Sequence, residues 1–235
     1  MLLDCDTLPV RNVLVVVPHP DDESLGCGGL IASLAVTGRL FHTVFVTDGG
    51  ASHPGSRKWP RYRVAAQREK EAAAALAHLG IGDHPRTFLR LRDAAMPELF
   101  SSDWRVAVAN LSMIIATFLP ELVLLPWRRD PHRDHRDSWR LYMEARVASA
   151  ISPMSLEYAV WLEEFGKAAD FPSDDEAEYV VFNVAAALPS KLAAIGAHLS
   201  QTGDLIDDDP GGFRLTTATI ARLTGPHEGY WRPLR

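Results

Sequence analysis

Short runs of β-branched and aliphatic residues alternate with helix-forming segments across the first 150 residues. That alternation narrows the fold more than any other feature. Val13 to Val17 has the pattern of a buried strand, and Gly28 to Val36 reads as a helix stopped by Gly38. Phe41 to Thr47 is a second strand, closed by the turn Asp48-Gly49-Gly50. Tyr62 to Leu79 is rich in Ala, Leu, Glu and Arg, which favours a helix, and Gly80 ends it. Thr87 to Leu91, Trp104 to Phe118, Leu122 to Pro126 and His135 to Ala150 continue as strand, helix, strand, helix. A βαβαβαβα order requires crossover helices, so the expected class is α/β with a mostly parallel sheet covered on both faces.

The last third is less regular. Leu156 to Leu162 and Tyr179 to Val184 read as strands around an acidic segment that includes Asp170, Asp174 and Asp175. Pro189 to Gln201 reads as one helix, Asp204 to Gly212 as an acidic loop, and the final twenty residues carry no clear pattern. Both acidic stretches are expected to face solvent.

A chain of 235 residues with 47% hydrophobic content can bury one substantial core, so one domain over 1–235 is expected. Residues 155–235 would be an extension flanking the active site with a C-terminal hairpin or strand pair. A net charge of -6 argues against a nucleic-acid interface, which needs a basic surface. Basic residues do gather in Arg57 to Arg63 and Arg128 to Arg140, to serve an anionic substrate or to face water. No 18-residue uncharged apolar window marks an integral membrane segment. The start, Met1 to Asp6, lacks the basic and apolar regions of a secretory leader. Cys5 and Cys27 do not make a disulfide framework, which points to a reducing cytoplasm. Assembly into a homo-oligomer stays open.

The chemistry is concentrated at two strand exits. Pro18-His19-Pro20-Asp21-Asp22-Glu23 follows the first strand, and His132-Arg133-Asp134-His135 follows the strand ending at Pro126. In an open α/β sheet this is the edge where ligands bind. His19 and Asp22 are three apart, so a helical turn would aim both the same way, with Asp21 aimed elsewhere. His132 and His135 repeat that spacing. One histidine and one aspartate from the first cluster, plus one histidine from the second, give the three ligands typical of catalytic zinc. Asp21 is then placed to take a proton from water, and the spare histidine to stabilise an oxyanion or protonate a leaving amine. The bland reading is that paired aspartates at a helix start only cap its amides. Gly26, Gly28 and Gly29 do not have dinucleotide-loop spacing; close packing against the backbone explains them better. Trp59, Trp127 and Trp161 are candidates to stack on a sugar or to serve as core or rim residues.

The run from Pro18 to Glu23 resembles the signature of the LmbE-like, or PIG-L, zinc-dependent de-N-acetylases, which act on N-acetylglucosamine units. The resemblance continues in Thr47-Asp48-Gly49, in Arg68, Glu71, Ala75 and Leu79-Gly80, in Asp93, and in the histidine pair His132 and His135. Lys191, the segment His198-Leu199-Ser200-Gln201 and Glu228 also fit. Arg133 stands where the family often has proline. The resemblance implies a three-layer α/β/α sandwich with a Rossmann-like sheet and one zinc on His19, Asp22 and His135. It implies Asp21 as general base, His132 in protonated form as the partner of the tetrahedral intermediate, and Arg68 and Asp93 as substrate contacts. The expected reaction is hydrolysis of an N-acetyl group from a small acetylated amino sugar or glycoconjugate, releasing acetate and a free amine. Two rival readings are a zinc amidase acting on a non-sugar natural product and a non-catalytic sugar- or nucleotide-binding module.

Overall fold

The computed structural model describes residues 2–173 and 175–234, so Asp174 of the acidic segment lies outside the described residues. Among the described residues eight strands form one sheet: β1 (Leu2–Leu3), β2 (Asn12–Val17), β3 (Leu40–Thr47), β4 (Arg86–Leu91), β5 (Leu122–Pro126), β6 (Met154–Tyr158), β7 (Ala177–Asn183) and β8 (His227–Pro233). Their spatial order is β1-β7-β8-β6-β5-β2-β3-β4. The five strands from β4 to β6 are parallel neighbours. The chain moves outward from β2 through β3 to β4, then returns to the other side of β2 with β5 and β6. This reversal opens a crevice between the carboxyl ends of β2 and β5. Those are the two strand exits that carry the histidines.

Alternation along β2 divides the core. Val13, Val15 and Val17 pack on one face with Leu30, Ile31 and Leu76, from α1 (Asp22–Ala35) and α2 (Arg61–His78). Leu14 and Val16 pack on the other with Leu111, Ile115 and Leu141, from α3 (Ser102–Phe118) and α4 (Arg133–Ser149). A strand buried on both faces has no polar side, which is why Val13 to Val17 reads as an unbroken apolar run. The α/β sandwich is therefore three-layered, as expected.

The departures from the expected elements have long-range causes. Helix α1 begins at Asp22 rather than Gly28, and its backbone breaks at Cys27 (φ -145°, ψ 16°). The renewed helix is capped from the far end of the chain. Glu228 accepts the backbone N–H groups of Gly29 (2.7 Å) and Leu30 (2.8 Å), and Lys191 Nζ (2.6 Å) and Tyr230 OH (2.8 Å) donate to the same carboxylate. A Cβ on Gly29 would lie 2.7 Å from Glu228 Oε1. The expected strand Leu156 to Leu162 stops at Tyr158, because Asp130 draws the N–H groups of Val160 (3.3 Å) and Trp161 (3.2 Å) away from the sheet. Leu162–Phe165 then forms α5. The expected helix Pro189 to Gln201 is two, α6 (Leu188–Ala197) and α7 (Leu199–Thr202), broken at His198, whose Nε2 lies 2.9 Å from Glu23 Oε1. The short helix α8 (Thr217–Leu223) follows. The C-terminal strand β8 inserts antiparallel between β6 and β7, so the expected C-terminal strand pair is β7 with β8, and it extends the sheet.

The second acidic loop also departs from expectation. Asp208 accepts Ser56 Oγ and the backbone N–H groups of Arg57 and Lys58, and Asp209 accepts Gly55 N–H. These carboxylates fasten the loop after β3 to the C-terminal region instead of only facing water.

Candidate metal centre and active site

The first cluster is shaped by a hard turn after β2. Thr47 Oγ1 donates to Pro18 O (2.8 Å), and Arg68 of α2 donates to Pro20 O from both Nε (3.2 Å) and Nη2 (2.6 Å). Arg68 Nη1 donates to Gly49 O (2.9 Å). Gly49 has φ +61°, and a Cβ there would lie 2.9 Å from the guanidinium, which explains glycine in Thr47-Asp48-Gly49. The turn holds Asp21 at φ 146°, ψ -28°, a conformation that L side chains rarely adopt. Asp21 Oδ2 meets Arg68 Nη2 at 2.9 Å.

His19 and Asp22 share one side of the turn, as their spacing suggested. Asp22 Oδ2 lies 3.1 Å from His19 Nδ1 and 3.2 Å from His135 Nε2. Two donors held 2.0–2.1 Å from one tetrahedral zinc are about 3.3 Å apart. His135 is fully buried, and neither of its ring nitrogens makes a well-directed hydrogen bond. Buried imidazole nitrogens without partners are costly unless something else uses them. Each histidine also turns its other nitrogen toward a carboxylate. His19 Nε2 lies 3.2 Å from Asp134 Oδ2 and 3.3 Å from Asp93 Oδ1, and His135 Nδ1 lies 3.5 Å from Asp130 Oδ1. Metal-binding histidines characteristically present this arrangement. The residues present therefore fit a divalent ion.

The structure brings together more potential ligands than the sequence reading named. Ring nitrogens of His19, His132 and His135 lie within 4.8 Å of one another, as do donor atoms of His19, Asp93 and Asp134. The outer members have other partners. Asp134 Oδ2 accepts Ala94 N–H (2.8 Å), Asp93 Oδ2 accepts Ala51 N–H (2.8 Å), and His132 Nδ1 accepts Asp134 N–H (3.2 Å). That last bond assigns the remaining ring proton of neutral His132 to Nε2.

Electrostatics separate the roles further. Burial pushes the Asp21 carboxyl up to about 7, against the pull of Arg68. Burial also disfavours the Asp22 carboxylate, but His135 and His19 hold it well below its ordinary range. Burial opposes charge on His135, yet Asp22 and Asp130 lift it to about 9. His132 is driven down to about 4 by burial and by the nearby His19 and His135. In the metal-free protein these neighbours disfavour the protonated form of His132.

A cavity of about 420 Å³ opens over the cluster, with His19, Asp21, Asp22 and His132 on its polar side. Arg68 and Asp93 line it too, but their polar atoms are largely committed to the protein: Arg68 to Pro20, Gly49 and Asp21, Asp93 to Ala51 and His19. Both therefore stand where substrate contacts were expected, and each also braces a neighbour, Arg68 at Asp21 and Asp93 at His19. Of the three candidate tryptophans, Trp161 lines the cavity. Trp127 is fully buried, and Trp59 lies under Arg63. Asp130 escaped the sequence reading. Its one available signal was a carboxylate among basic residues just after a strand, which is also what a solvated loop looks like.

Fold and cluster together define a doubly wound α/β protein with a divalent-metal type of site at its switch point. Its family follows from residues 14–146, which match the PIG-L profile described as GlcNAc-PI de-N-acetylase; this chain belongs to that family. It is 31% identical over 84% of its length to a probable N-acetyl-α-D-glucosaminyl L-malate deacetylase 2 of Bacillus cereus, covering 87% of that protein. It is 30% identical over 68% of its length to the 1D-myo-inositol 2-acetamido-2-deoxy-α-D-glucopyranoside deacetylase of Salinispora arenicola, and the match spans 58% of that relative. Among solved structures, the N,N'-diacetylchitobiose deacetylase of Pyrococcus horikoshii aligns with TM-score 0.72 and 24% identity, over 96% of this chain and 84% of that one. A 4-carboxy-2-hydroxymuconate hydratase of Pseudomonas putida aligns with TM-score 0.64 and 22% identity, over 80% and 78%. The fold is thus shared by enzymes of different reactions, and the chemistry has to be argued from the site. No helix among the described residues is long and apolar enough to cross a membrane.

Proposed function

We propose that this chain is a zinc-dependent N-deacetylase that hydrolyses the N-acetyl amide of an amino-sugar-containing small molecule. The observation that carries the reading is the placement of Asp22 between His19 Nδ1 and His135 Nε2, with Asp21 turned aside toward the cavity. Membership of a de-N-acetylase family and relatives named as N-acetylglucosaminyl deacetylases support it. His19, Asp22 and His135 would hold the zinc, which when bound supplies Lewis acidity and lowers the pKa of water from 15.7 to about 7.

The chain's own groups do the rest. Asp21 accepts a proton from the attacking water, and Arg68 fixes the carboxylate that receives it. Neutral His132 donates from Nε2 to the oxygen that becomes negative as water adds to the acetyl carbonyl. Asp21 then returns its proton to the departing nitrogen. One water is consumed, the carbon–nitrogen bond breaks, and acetate and a free amine leave. A sugar- or nucleotide-binding module without hydrolysis leaves the convergence of His19, Asp22 and His135 without a purpose.

The test is acetate release by the zinc-loaded chain from a panel of N-acetyl amino sugars, their glycosides and simple N-acetyl amines. Release from the sugars, with the matching free amine, is the expected result. Preference for the simple amines replaces the sugar with a non-sugar amide. Inertness toward the whole panel overturns the reading.

A prediction about the metal follows from His135. In the metal-free protein its raised pKa contributes stability that is fully present below pH 6.5 and is lost as pH rises through about 9. Zinc requires the neutral imidazole, so binding displaces that proton. Calorimetric titration at pH 7.5 in two buffers of different ionisation enthalpy should show release of about one proton or more per zinc. The melting temperature of the chelated protein should fall between pH 7 and 10 more steeply than that of the zinc-loaded protein. Zinc uptake with no proton release removes His135 from the ligand set.

A further inference from the structure

The cavity lining is of two unlike kinds, and the deacetylation reading uses only one. Besides the histidines and carboxylates it includes Pro131, Trp161, Phe165 and Phe213. Trp161 meets Phe165 with ring centroids 5.7 Å apart at 33°, and meets Phe213 edge-on at 5.8 Å and 85°. The three rings form an apolar corner. Phe165 is 62% exposed and Phe213 40% exposed, so the corner is left open at the mouth of the site.

The corner is anchored to the same framework as the metal cluster. Trp161 N–H donates to Asp130 Oδ2 (3.2 Å), while the other oxygen of that carboxylate faces His135. Phe213 N–H donates to the carbonyl of Ser52 (2.7 Å), a residue that itself lines the cavity. Phe165 N–H closes α5 back onto Trp161 O (2.9 Å). Rings held from two separate segments, α5 with its N-cap and the Phe213 loop, make a preformed surface rather than scattered exposed side chains, which need no explanation.

The chemistry of that surface selects its ligand. Pro131, Phe165 and Phe213 offer no side-chain donor or acceptor and Trp161 only its one indole N–H, so a polyol or dicarboxylate placed there would lose more hydrogen bonds to water than it regains. The acetyl methyl is too small to use three rings, and it belongs at the polar end, where the carbonyl must meet His132. What remains is the part of the substrate that points outward from the amino sugar.

Resting on the deacetylase reading, we propose that Trp161, Phe165 and Phe213 form a subsite for an apolar aglycone, aryl or alkyl, carried by the N-acetylated amino sugar. The preferred substrates are then hydrophobic glycosides, rather than sugars linked to a polar group or free at the reducing end.

The experiment compares kcat/KM for acetate release by the zinc-loaded full chain on methyl, hexyl and phenyl 2-acetamido-2-deoxyglucosides, in both anomers. One added methylene in a well-fitted apolar pocket is worth about 10- to 200-fold. Hexyl or phenyl should therefore exceed methyl by at least about tenfold in one anomer. The ratio should fall toward one in a Phe165→Ser/Phe213→Ser double variant whose folding is checked by circular dichroism. Phenyl ahead of hexyl indicates an aryl group, and the reverse order an alkyl chain. Equal kcat/KM for all three glycosides, or an advantage that survives in the double variant, overturns the subsite. Binding to the Asp21→Asn variant, measured by equilibrium dialysis of the phenyl and methyl glycosides, separates the two hypotheses. Tighter phenyl binding that is lost in Asp21→Asn/Phe165→Ser/Phe213→Ser, without hydrolysis by the wild type, supports the apolar subsite and sinks the deacetylase reading. Hydrolysis with no apolar preference in either assay does the opposite.

Discussion

Asp21→Asn is expected to lower kcat by about 10²- to 10⁴-fold, the usual worth of a general base, while zinc content stays near the wild-type level. The amide nearly preserves the size of the side chain but cannot accept the proton. Asp21 is also where the fold stores strain: φ 146° is outside the regions available to most side chains, and such residues cost about 1–3 kcal/mol. Arg68 enforces the conformation by gripping Pro20 O on one side and Asp21 Oδ2 on the other. Asp21→Gly should therefore be as inactive as Asp21→Asn but melt at a higher temperature. Both variants lose the charge that faces Arg68, so the comparison cancels most of the ion-pair loss and leaves the backbone term. For a chain of this size, 1–3 kcal/mol corresponds to a difference of about 2–12 °C in Tm. Equal turnover of Asp21→Asn and wild type, at matched zinc content, removes Asp21 as base. A glycine variant that melts no higher than the asparagine variant shows that the turn is not strained.

Much of this site was legible in the sequence because its parts are local. A fully buried parallel strand must be apolar throughout, so Val13 to Val17 and Leu122 to Pro126 announce themselves, and the residues just after them fall at the crevice by topology. The His-x-x-Asp and His-x-x-His spacings work for the same reason: three residues span one turn. What stayed hidden depends on residues far apart in the chain. Glu228 caps a helix 198 residues earlier, at Leu30. His198 breaks its own helix to reach Glu23, 175 residues away. Asp130 looks like part of a basic surface loop until Val160, Trp161 and His135 are folded around it. Arg68 was found as a site residue, but its direction was not readable. An arginine in an amphipathic helix can face a ligand, the backbone of the next turn or both, and its grip on the carbonyls of Pro20 and Gly49 appears only in the folded chain. The last strand gave no clear pattern because β8 carries a glycine and several polar residues, and pairing with β7 overrides its local preference.

The ligand set is where a single measurement decides most. His19 belongs to each of the three groupings that the geometry allows, so His19→Ala loses metal under all of them and discriminates nothing. Asp22→Ala and His135→Ala are expected to reduce zinc from about one per chain to a small fraction and to cut kcat/KM by about 10³-fold or more, since metal catalysis supplies several kcal/mol at about 1.4 kcal/mol per tenfold. His132→Ala should keep zinc and lose turnover by about 10²- to 10³-fold, the worth of one oxyanion donor. Asp130→Asn tests the support behind His135. Its amide oxygen can still accept the loop N–H groups, but the charge facing His135 Nδ1 is gone, and such losses typically cost about 10- to 100-fold in metal affinity. Elemental analysis after dialysis, with zinc titration of the apoproteins, separates these cases. Zinc lost from His132→Ala and retained in Asp22→Ala would move the ion to the three histidines. Zinc retained in both Asp22→Ala and His135→Ala, but lost from Asp93→Asn and Asp134→Asn, would move it to the opposite edge of the His19 ring, 3.2 Å from Asp134 and 3.3 Å from Asp93. Backbone N–H groups of Ala94, Ala51 and His19 occupy Asp134, Asp93 and Asp22 alike, so the aspartates do not settle the order, whereas the Asp134 N–H occupies His132 Nδ1. His135 is fully buried, neither of its ring nitrogens makes a well-directed hydrogen bond, and the carboxylate beside its Nε2 is Asp22.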